Sequence, residues 1–383
     1  FLEPVDVLML RGNKLFGDPG SYGHAQMPPW PSVFAGAIRS RMLADAGLDW
    51  NPRRRDRPVT HHPELGTPDA PGAFTLTACQ LARRDRQGRI ERLYTLPADL
   101  VVSSAGAQLL RPLALSSGIA SSGELPLHPV LGEVQRSKPE GARWLTEAGW
   151  QEYLQGRPPT SEQLVPTGDL WQIDFRVGVG LDPAKRAAEE GKLFSVEAVA
   201  LASKRNGRSH DVGFLVEVQG ATPPVEGLLR FGGDGRACTI ERDNTQVTTL
   251  DRGKLAQAGR LRLVQTTLGI YARGWLPTGA DQSQRRSDGA IRFALNGVSG
   301  WIACAAVPRS EVISGFDLAR WEPKPAERVT PTGSVWWLEL DAGVNAEALG
   351  KLVERGLWTD EEFRTCNRRA EGYNRVALAA WSD

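Results

Sequence analysis

The sequence predicts an α+β protein built from two β/α units that are extended by projecting hairpins and loop insertions. The N-terminal residues 1–12 read as a strand that runs through a glycine-rich loop directly into a helix at Pro31. This is the first step of a ferredoxin-like (RRM-like) βαββαβ unit. A second strong strand pattern begins near residue 168. The length of 383 residues also favours two domains over one.

Overall composition is that of an ordinary globular protein, with 41% apolar residues, 24% charged residues and a net charge of +1. This balance argues against non-specific nucleic-acid binding driven by total charge. Only eight of the 46 basic residues are lysine. Arginine suits phosphate clamping and base stacking, but a GC-rich genome would give the same excess. Whether the protein binds nucleic acid therefore has to be judged from the position of each basic residue.

Cysteine spacing and hydropathy indicate the compartment. The four cysteines are widely scattered and form no C-x-x-C pair, which predicts neither a disulfide framework nor a zinc site. The sequence has no run of 18 apolar residues that would span a membrane, and its start does not resemble a signal peptide. We therefore expect a cytoplasmic protein with reduced thiols, without a metal or another cofactor.

The first helix has well-marked ends. Pro31 supplies a start signal, and Phe34, Ile38 and Met42 recur at four-residue spacing, which predicts a buried stripe. Gly47 offers a left-handed exit from the helix.

The rest of the first unit is less regular. Residues 51–72 predict an exposed insertion rich in proline and arginine, and residues 73–96 predict a hairpin that turns at residues 86–89. Residues 101–143 are weakly patterned, and residues 142–156 predict a helix.

The second unit reads mainly as strands, and two of its segments have a different pattern. Asp182 and Pro183 predict the cap and first residue of a short helix over residues 182–190. Residues 279–290 predict a polar loop. The other predicted elements are a strand at 170–181, a hairpin formed by 192–203 and 212–220, a strand–turn–strand at 228–242, strands at 260–271, 300–309 and 334–340, two short helices within 345–370, and a final strand at 374–381.

One face of the sheet in such a unit stays free for a ligand, and RNA is a frequent one. Basic residues in two places suit phosphate contacts, although solvated surface charge is the plain alternative for both. The first set borders the open face of the first sheet and consists of Arg11, Lys14 and Arg39. The second set lies at the predicted hairpin tip and consists of Lys204, Arg205, Arg208 and His210.

A glycine-rich turn and several loop aromatics add weaker signals. Residues 230–237, RFGGDGRA, combine three glycines with Arg236, and such a turn can point backbone N–H groups at a phosphate. The pair Asp-Gly between strands is also typical of an ordinary hairpin turn. Phe16, Tyr22 and Trp30 surround the first loop. They could stack on unpaired bases, although large loop aromatics more often seal a core.

Eight segments of the sequence, taken in order, carry a resemblance to a known family. They are residues 1–12, 28–40, 175–201, 213–218, 230–236, 274–277, 315–340 and 371–381. Each segment alone is only a strand, a turn or a helix start, so the resemblance depends on their order and spacing. Together they resemble a family of RAMP proteins, the third subunit of the Cmr module of type III-B CRISPR effector complexes. This subunit belongs to the group that binds the 5′ tag of the CRISPR guide RNA (crRNA).

The resemblance implies two ferredoxin-like domains, residues 1–160 and residues 161–383, with hairpins or loops that clamp the repeat-derived 5′ tag. It implies contacts with the large polymerase-like subunit and with a backbone RAMP subunit, target RNA nearby, and a role in antiviral defence. The family member binds and caps the crRNA and is not an enzyme. The family context also suggests that Arg136 and Lys138, in a flexible segment, approach RNA or the backbone subunit.

Two other functions stay open. His24 could serve as the general base of a metal-independent crRNA-processing endoribonuclease, but no H-x-x-x-H or D-x-D motif accompanies it. Processing RAMP endonucleases also carry a fuller glycine-rich loop near the C-terminus than residues 371–374, where Gly372 favours a tight turn. The third function is a structural adaptor that binds only protein.

Overall fold

The computed structural model describes residues 1–12, 22–48, 50, 61–116, 118–119, 121–133, 138–182, 184–204, 207–245 and 249–381. The predicted α+β class is confirmed, with strands predominating over helices. Among the described residues, no helix is long and apolar enough to cross a membrane.

The helices are short apart from the first. They are α1 (Pro31–Asp45), α2 (Glu147–Leu154), α3 (Arg252–Ala258), α4 (Ala346–Arg355), α5 (Asp360–Thr365) and α6 (Asn367–Ala370). The strands up to residue 241 are β1 (Leu2–Pro4), β2 (Tyr22–Gly23), β3 (Thr75–Arg84), β4 (Ile90–Thr95), β5 (Leu100–Ser103), β6 (Gly106–Leu109), β7 (Arg111–Leu113), β8 (His128–Val130), β9 (Arg143–Leu145), β10 (Leu164–Pro166), β11 (Trp171–Asp182), β12 (Ala187–Leu201), β13 (Asp211–Gln219), β14 (Glu226–Arg230) and β15 (Ala237–Glu241). The later strands are β16 (Arg260–Gln265), β17 (Ala280–Arg285), β18 (Ile291–Leu295), β19 (Val298–Ala306), β20 (Glu311–Ile313), β21 (Phe316–Asp317), β22 (Glu322–Pro323), β23 (Glu327–Val329), β24 (Val335–Leu340) and β25 (Val376–Ala380).

The first large sheet is antiparallel and has the strand order β10-β9-β4-β3-β13-β1-β15-β14. Its hairpin β3–β4 confirms the hairpin predicted over residues 73–96. The strand β13 lies between β1 and β3. Because β10, β13, β14 and β15 follow residue 160, this sheet contains strands from both sides of the domain boundary that the resemblance implies at that residue.

The second large sheet is also antiparallel and has the order β17-β18-β19-β24-β16-β25. It takes all its strands from residues 260–380. Its edge strand β17 pairs with β18, so the prediction of a polar loop over residues 279–290 is wrong. On this edge strand the Asp281 carboxylate accepts hydrogen bonds from Ser283 and from the Gln284 side-chain amide. An edge strand that is polar on both faces gives no apolar alternation, and the sequence therefore reads as a loop.

The strands β11 and β12 form a long two-stranded antiparallel structure, which we call the ribbon. The helix predicted at residues 182–190 is wrong, because the Asp182 carboxylate accepts hydrogen bonds from the backbone N–H groups of Ala184 and Lys185 in a turn that leads into β12. The hairpin predicted between residues 192–203 and 212–220 is also wrong. β12 pairs with β11, whereas β13 pairs with β3 in the first sheet.

Helix α1 packs on the first sheet through its predicted stripe. Phe34, Ile38 and Met42 are buried in the same apolar cluster as strand residues such as Phe214. Pro31 is the first helical residue, and no side chain caps the helix start. The chain leaves the helix through Gly47 at φ +66°, as predicted.

A buried ion pair joins the second sheet to the segment that carries α2. Arg262 on β16 and Asp99 are both fully buried, and their charged groups lie 2.5 Å apart. The Tyr153 hydroxyl donates to Asp99 at 2.7 Å. Arg262 also donates to the backbone carbonyls of Tyr153 and Ala380, each at 2.7 Å. Every charged group in this network therefore has hydrogen-bond partners.

The turn at residues 371–374 lies between the two halves of the chain. Gly372 has φ +89°, and a Cβ atom there would lie 2.8 Å from the Leu76 carbonyl oxygen. Tyr373 and Asn374 are fully buried. The tight turn predicted at Gly372 is confirmed, and the turn packs against other parts of the protein.

Candidate nucleic-acid interface

The predicted RNA-binding residues fall into several regions. Lys14, Arg136 and Arg205 lie outside the described residues, as does the aromatic Phe16. Lys138 is exposed and precedes β9. The remaining predicted residues lie in three places: the N-terminal segment with the 231–236 turn, the flank of α1, and the segment that connects the ribbon to β13.

The last of these segments forms one wall of a cavity of about 590 Å³. The other wall is the β3–β4 turn. We call this cavity the basic pocket, and its lining residues are Arg83, Asp85, Arg86, Gln87, Arg89, Glu91, Ser209 and His210. The predicted residues of this segment therefore lie beside a second arginine-rich loop, for which the sequence predicts only a turn.

Lys204 fastens the two walls together. Its ammonium group donates to the Asp85 carbonyl oxygen at 2.7 Å and lies 3.2 Å from the Asp211 carboxylate. Asp211 also accepts hydrogen bonds from the Ser203 hydroxyl and the Lys204 backbone N–H. Burial opposes ionisation of Asp211, but these hydrogen bonds outweigh it and hold the pKa of the carboxyl below its usual value. Lys204 therefore holds the shape of the pocket, and its contact with RNA stays a prediction.

The pocket carries a surplus of positive charge. Arg83 pairs with Glu91 at 2.7 Å, and Arg89 pairs with Asp85 at 2.8 Å. Arg86 is exposed and makes no ion pair among the described residues. The same holds for Arg208, which is close enough to His210 to affect its titration.

His210 lines the inner side of the pocket. Its Nδ1 lies 2.9 Å from the Ser209 hydroxyl, and its buried Nε2 has no hydrogen-bond partner within the described structure. Burial lowers the pKa of His210, and the positive charge of Arg83 lowers it further. A phosphate group in the pocket would contact the guanidinium of Arg86, and its negative charge would favour protonation of His210.

The ribbon presents an unusual apolar face. Phe175, Val177, Val179 and Leu181 alternate along β11 and therefore point to one side. Phe175 is 68% exposed, Val177 70% and Leu181 63%. Leu193, the cross-strand neighbour of Val179, is 60% exposed. A contiguous exposed apolar strip of this kind indicates an interaction surface.

Glu197 attaches the ribbon to the N-terminal segment. Its carboxylate accepts hydrogen bonds from the Tyr22 hydroxyl at 2.6 Å and from the Ala25 backbone N–H at 2.7 Å. The Tyr22 ring also lies 6.5 Å from the ring of Phe175. Burial disfavours the charged form of Glu197, but the donors from Tyr22 and Ala25 prevail and lower its pKa.

His24 lies beside this attachment. It is exposed, and its Nδ1 is 3.6 Å from Glu197, beyond hydrogen-bond distance. No group of three or more His, Cys, Asp or Glu side chains suited to a metal ion occurs in the described part of the chain. The part of His24 in catalysis stays a hypothesis.

The 231–236 turn is a hairpin turn between β14 and β15, as its Asp-Gly pair indicates. Its Gly233 N–H donates to the Met9 carbonyl oxygen at 2.7 Å, and Arg236 pairs with Asp6 at 2.7 Å. Arg11 is exposed next to this turn and forms a backbone bridge with Ala25.

Arg39 is half-buried on α1. Its guanidinium lies 6.0 Å from the centre of the Trp50 ring. Desolvation lowers the pKa of Arg39, and the negative charges of Glu371 and Asp317 partly oppose that change. RNA contacts of Arg39, Arg11 and Arg236 stay predictions.

Sequence reasoning did not identify Arg83, Arg86 and Arg89 as site residues. The signal was present in the run RRDRQGR at residues 83–89, where four arginines occur in seven positions. Nothing local in that run shows that it meets the 203–210 segment, because Lys204 and Asp85 are 119 positions apart.

Comparison with known proteins gives one family. The family model described as CRISPR-associated protein (Cas_Cmr3) matches residues 1–381. The comparison with curated proteins gives no match. A chain in the cryo-EM structure of the type III-B Cmr-beta complex bound to cognate target RNA is 13% identical, with a TM-score of 0.50 over 98% of this chain and 95% of that one. A chain in the same complex bound to target RNA and AMPPnP, state 1, is 13% identical, with a TM-score of 0.51 over 98% and 97%. At this identity the likeness shows the fold alone.

Proposed function

The chain belongs to the CRISPR-associated Cas_Cmr3 family, and we propose that it is a non-catalytic crRNA-binding subunit of a type III-B effector complex. In this proposal it caps the 5′ tag of the guide RNA and bridges the large polymerase-like subunit to the backbone RAMP subunits. The proposal includes a fold of two ferredoxin-like domains. The observation that carries it is the basic pocket, which brings three arginines of the β3–β4 hairpin, one of them without an ion pair among the described residues, to the segment that carries Ser209 and His210.

The charge balance of the pocket fits an anionic ligand such as the phosphates of an RNA backbone. Arg86 and Arg208 are exposed cations without an ion pair among the described residues, so a phosphate does not have to displace a carboxylate to reach them. Arg83 and Arg89 are already neutralised by Glu91 and Asp85. Phosphate contacts of this kind position an RNA strand without reading its sequence.

The ribbon supplies the second part of the proposed clamp. Its exposed apolar face and the Tyr22–Phe175 ring pair offer surfaces for unstacked bases or for a neighbouring subunit. Glu197 holds the ribbon against the N-terminal segment, on which Arg11 lies. The proposed RNA path therefore has basic groups at the pocket and apolar groups along the ribbon.

The test is crRNA binding by the double variant Arg86→Ala/Arg208→Ala. Loss of each phosphate contact reduces the slope of log affinity against log salt by about 0.7 for single strands, so the double variant should lose about 1.4. The matched control is Arg111→Ala/Arg242→Ala, which removes two exposed arginines that lie elsewhere. The control should keep the slope of the unmodified protein.

An unchanged slope in the double variant would refute the pocket as the RNA site. Absence of any RNA adduct on this chain after crosslinking of the assembled complex would instead favour a protein-only adaptor. These two results are distinguishable, because the first leaves RNA bound elsewhere on the chain.

A further inference from the structure

Residues 311–329 form one long hairpin between β19 and β24. Its base is the strand pair β20–β23, and its outer end is the strand pair β21–β22. Ile313 and Val329 at the base are buried in an apolar cluster that includes Trp30. We call residues 315–324, which contain β21 and β22, the hairpin tip. Because the base is buried in the cluster, the tip has a fixed support.

The hairpin tip exposes three large apolar side chains. Phe316 is 48% exposed, Leu318 58% and Trp321 40%. The Phe316 and Trp321 rings meet edge to face, with their centres 5.5 Å apart. Aromatic side chains that project from a protein surface are typical of the anchors that fill a pocket on a partner protein.

The backbone of Trp321 has an unfavourable conformation. Its φ is +59°, in the left-handed region that bulky residues rarely adopt. The Asp317 carboxylate accepts hydrogen bonds from the backbone N–H groups of Ala319 and Arg320, at 2.9 and 3.2 Å, in the turn just before Trp321. Glycine or asparagine would adopt this φ at lower cost, so the backbone alone does not favour tryptophan there. Backbone strain of this kind clusters at binding sites.

The charges of the hairpin tip favour a protein partner over RNA. Its two acidic residues balance its two basic residues, so the tip has no net charge. Both basic residues are in ion pairs, Arg320 with Asp69 and Lys324 with Glu371. An RNA strand would have to displace these carboxylates to gain phosphate contacts, whereas an apolar pocket on a protein leaves them in place. The Lys324–Glu371 pair is largely buried and fixes the tip against the rest of the chain, which lowers the ordering cost of binding.

We propose that the hairpin tip docks into an apolar pocket on a neighbouring protein subunit of the effector complex, with Leu318 and Trp321 as the anchors. This inference rests on the proposed function and assigns one of its protein contacts to a surface of this chain. The pocket is concave because the tip is a protrusion. It is uncharged because both cations of the tip are already neutralised.

The experiment measures binding of the whole chain, loaded with guide RNA, to the large polymerase-like subunit and to the backbone RAMP subunit, each immobilised in turn. Leu318→Ser and Trp321→Asn should each weaken binding to one of the two subunits by about 30-fold, as truncation of an interface anchor does. The matched control is Leu113→Ser, which changes another exposed leucine, on β7, and should leave both affinities unchanged. The affinity for guide RNA should be the same in all three variants.

Urea unfolding of Trp321→Asn separates docking from a structural role. Asparagine tolerates a positive φ, so the unfolding midpoint should not fall. A lower midpoint with unchanged binding to both subunits would mean that Trp321 only stabilises the fold, and it would overturn the proposal. Leu318→Ser decides the case in which Trp321→Asn loses both stability and binding.

Three other results also overturn the docking surface. They are unchanged subunit binding in both tip variants, weaker guide-RNA binding with unchanged subunit binding, and a dimer of the unmodified chain that both variants dissociate. Each of these leaves the RNA-binding function intact. An unmodified chain that binds neither subunit nor guide RNA overturns both proposals.

Discussion

Replacing Arg262 by methionine should destabilise the protein strongly, because it leaves the Asp99 carboxylate buried without its cation. Both side chains are fully buried. The substitution also leaves the backbone carbonyls of Tyr153 and Ala380 without the donors that Arg262 supplies. Removing one partner of a buried ion pair costs about 3–5 kcal/mol of unfolding free energy. Tyr153 still donates to Asp99 in the variant, which places the expected loss toward the lower part of that range.

Urea unfolding followed by tryptophan fluorescence measures this loss. The double variant Asp99→Leu/Arg262→Met removes both charges, and because the desolvation cost of the pair then disappears, it should lose less stability than the sum of the two single losses. Recovery stays partial, because the Tyr153 hydroxyl and the carbonyls of Tyr153 and Ala380 are left without partners. A double variant that loses the sum of the two single losses would refute the reasoning. It would show that the two side chains act through independent contacts rather than as a pair.

Three further predictions concern the turn, the ribbon and catalysis. Gly372→Ala should lower the free energy of unfolding, measured in urea, by about 1–3 kcal/mol, because the new Cβ would meet the Leu76 carbonyl oxygen. The control Gly191→Ala has a similar φ but open space around it, and it should cost only about 1 kcal/mol. Equal losses in the two variants would contradict the steric argument. The pKa of Glu197 is lowered from 4.5 in the folded protein, so its contribution to stability is present near neutral pH and is lost as the pH falls through the lowered value. Glu197→Gln should therefore be less stable near neutrality, and its stability should decline less steeply as the pH falls. An unchanged dependence of stability on pH would be evidence against this contribution. Pure protein incubated with repeat RNA in EDTA should leave it intact; cleavage that disappears in His24→Ala would establish the endoribonuclease instead.

Short-range patterns in the sequence were sufficient for several elements. The stripe of Phe34, Ile38 and Met42 predicted α1, because a helix buries residues at four-residue spacing. The Asp234–Gly235 pair predicted the turn between β14 and β15, and both residues have positive φ. In each case the information lies within a few residues of the feature.

Features that depend on distant contacts were not predicted. The ribbon was missed because β12 and β13 both read as apolar strands on either side of a short polar segment, a pattern that a hairpin of the two satisfies equally well. The basic pocket depends on the contact between Lys204 and Asp85. Local periodicity contains no information about such meetings.

The position of β13 between β1 and β3 determines when the first sheet can assemble during synthesis. A nascent chain that has emerged from the ribosome only to residue 160 has both outer partners but lacks the strand that joins them. β1 also needs β15, which ends at residue 241, on its other side. Strand β1 therefore stays without its neighbours in the sheet until β13, which begins at Asp211, has been translated. Unpaired strand edges of this kind make a nascent chain prone to aggregation.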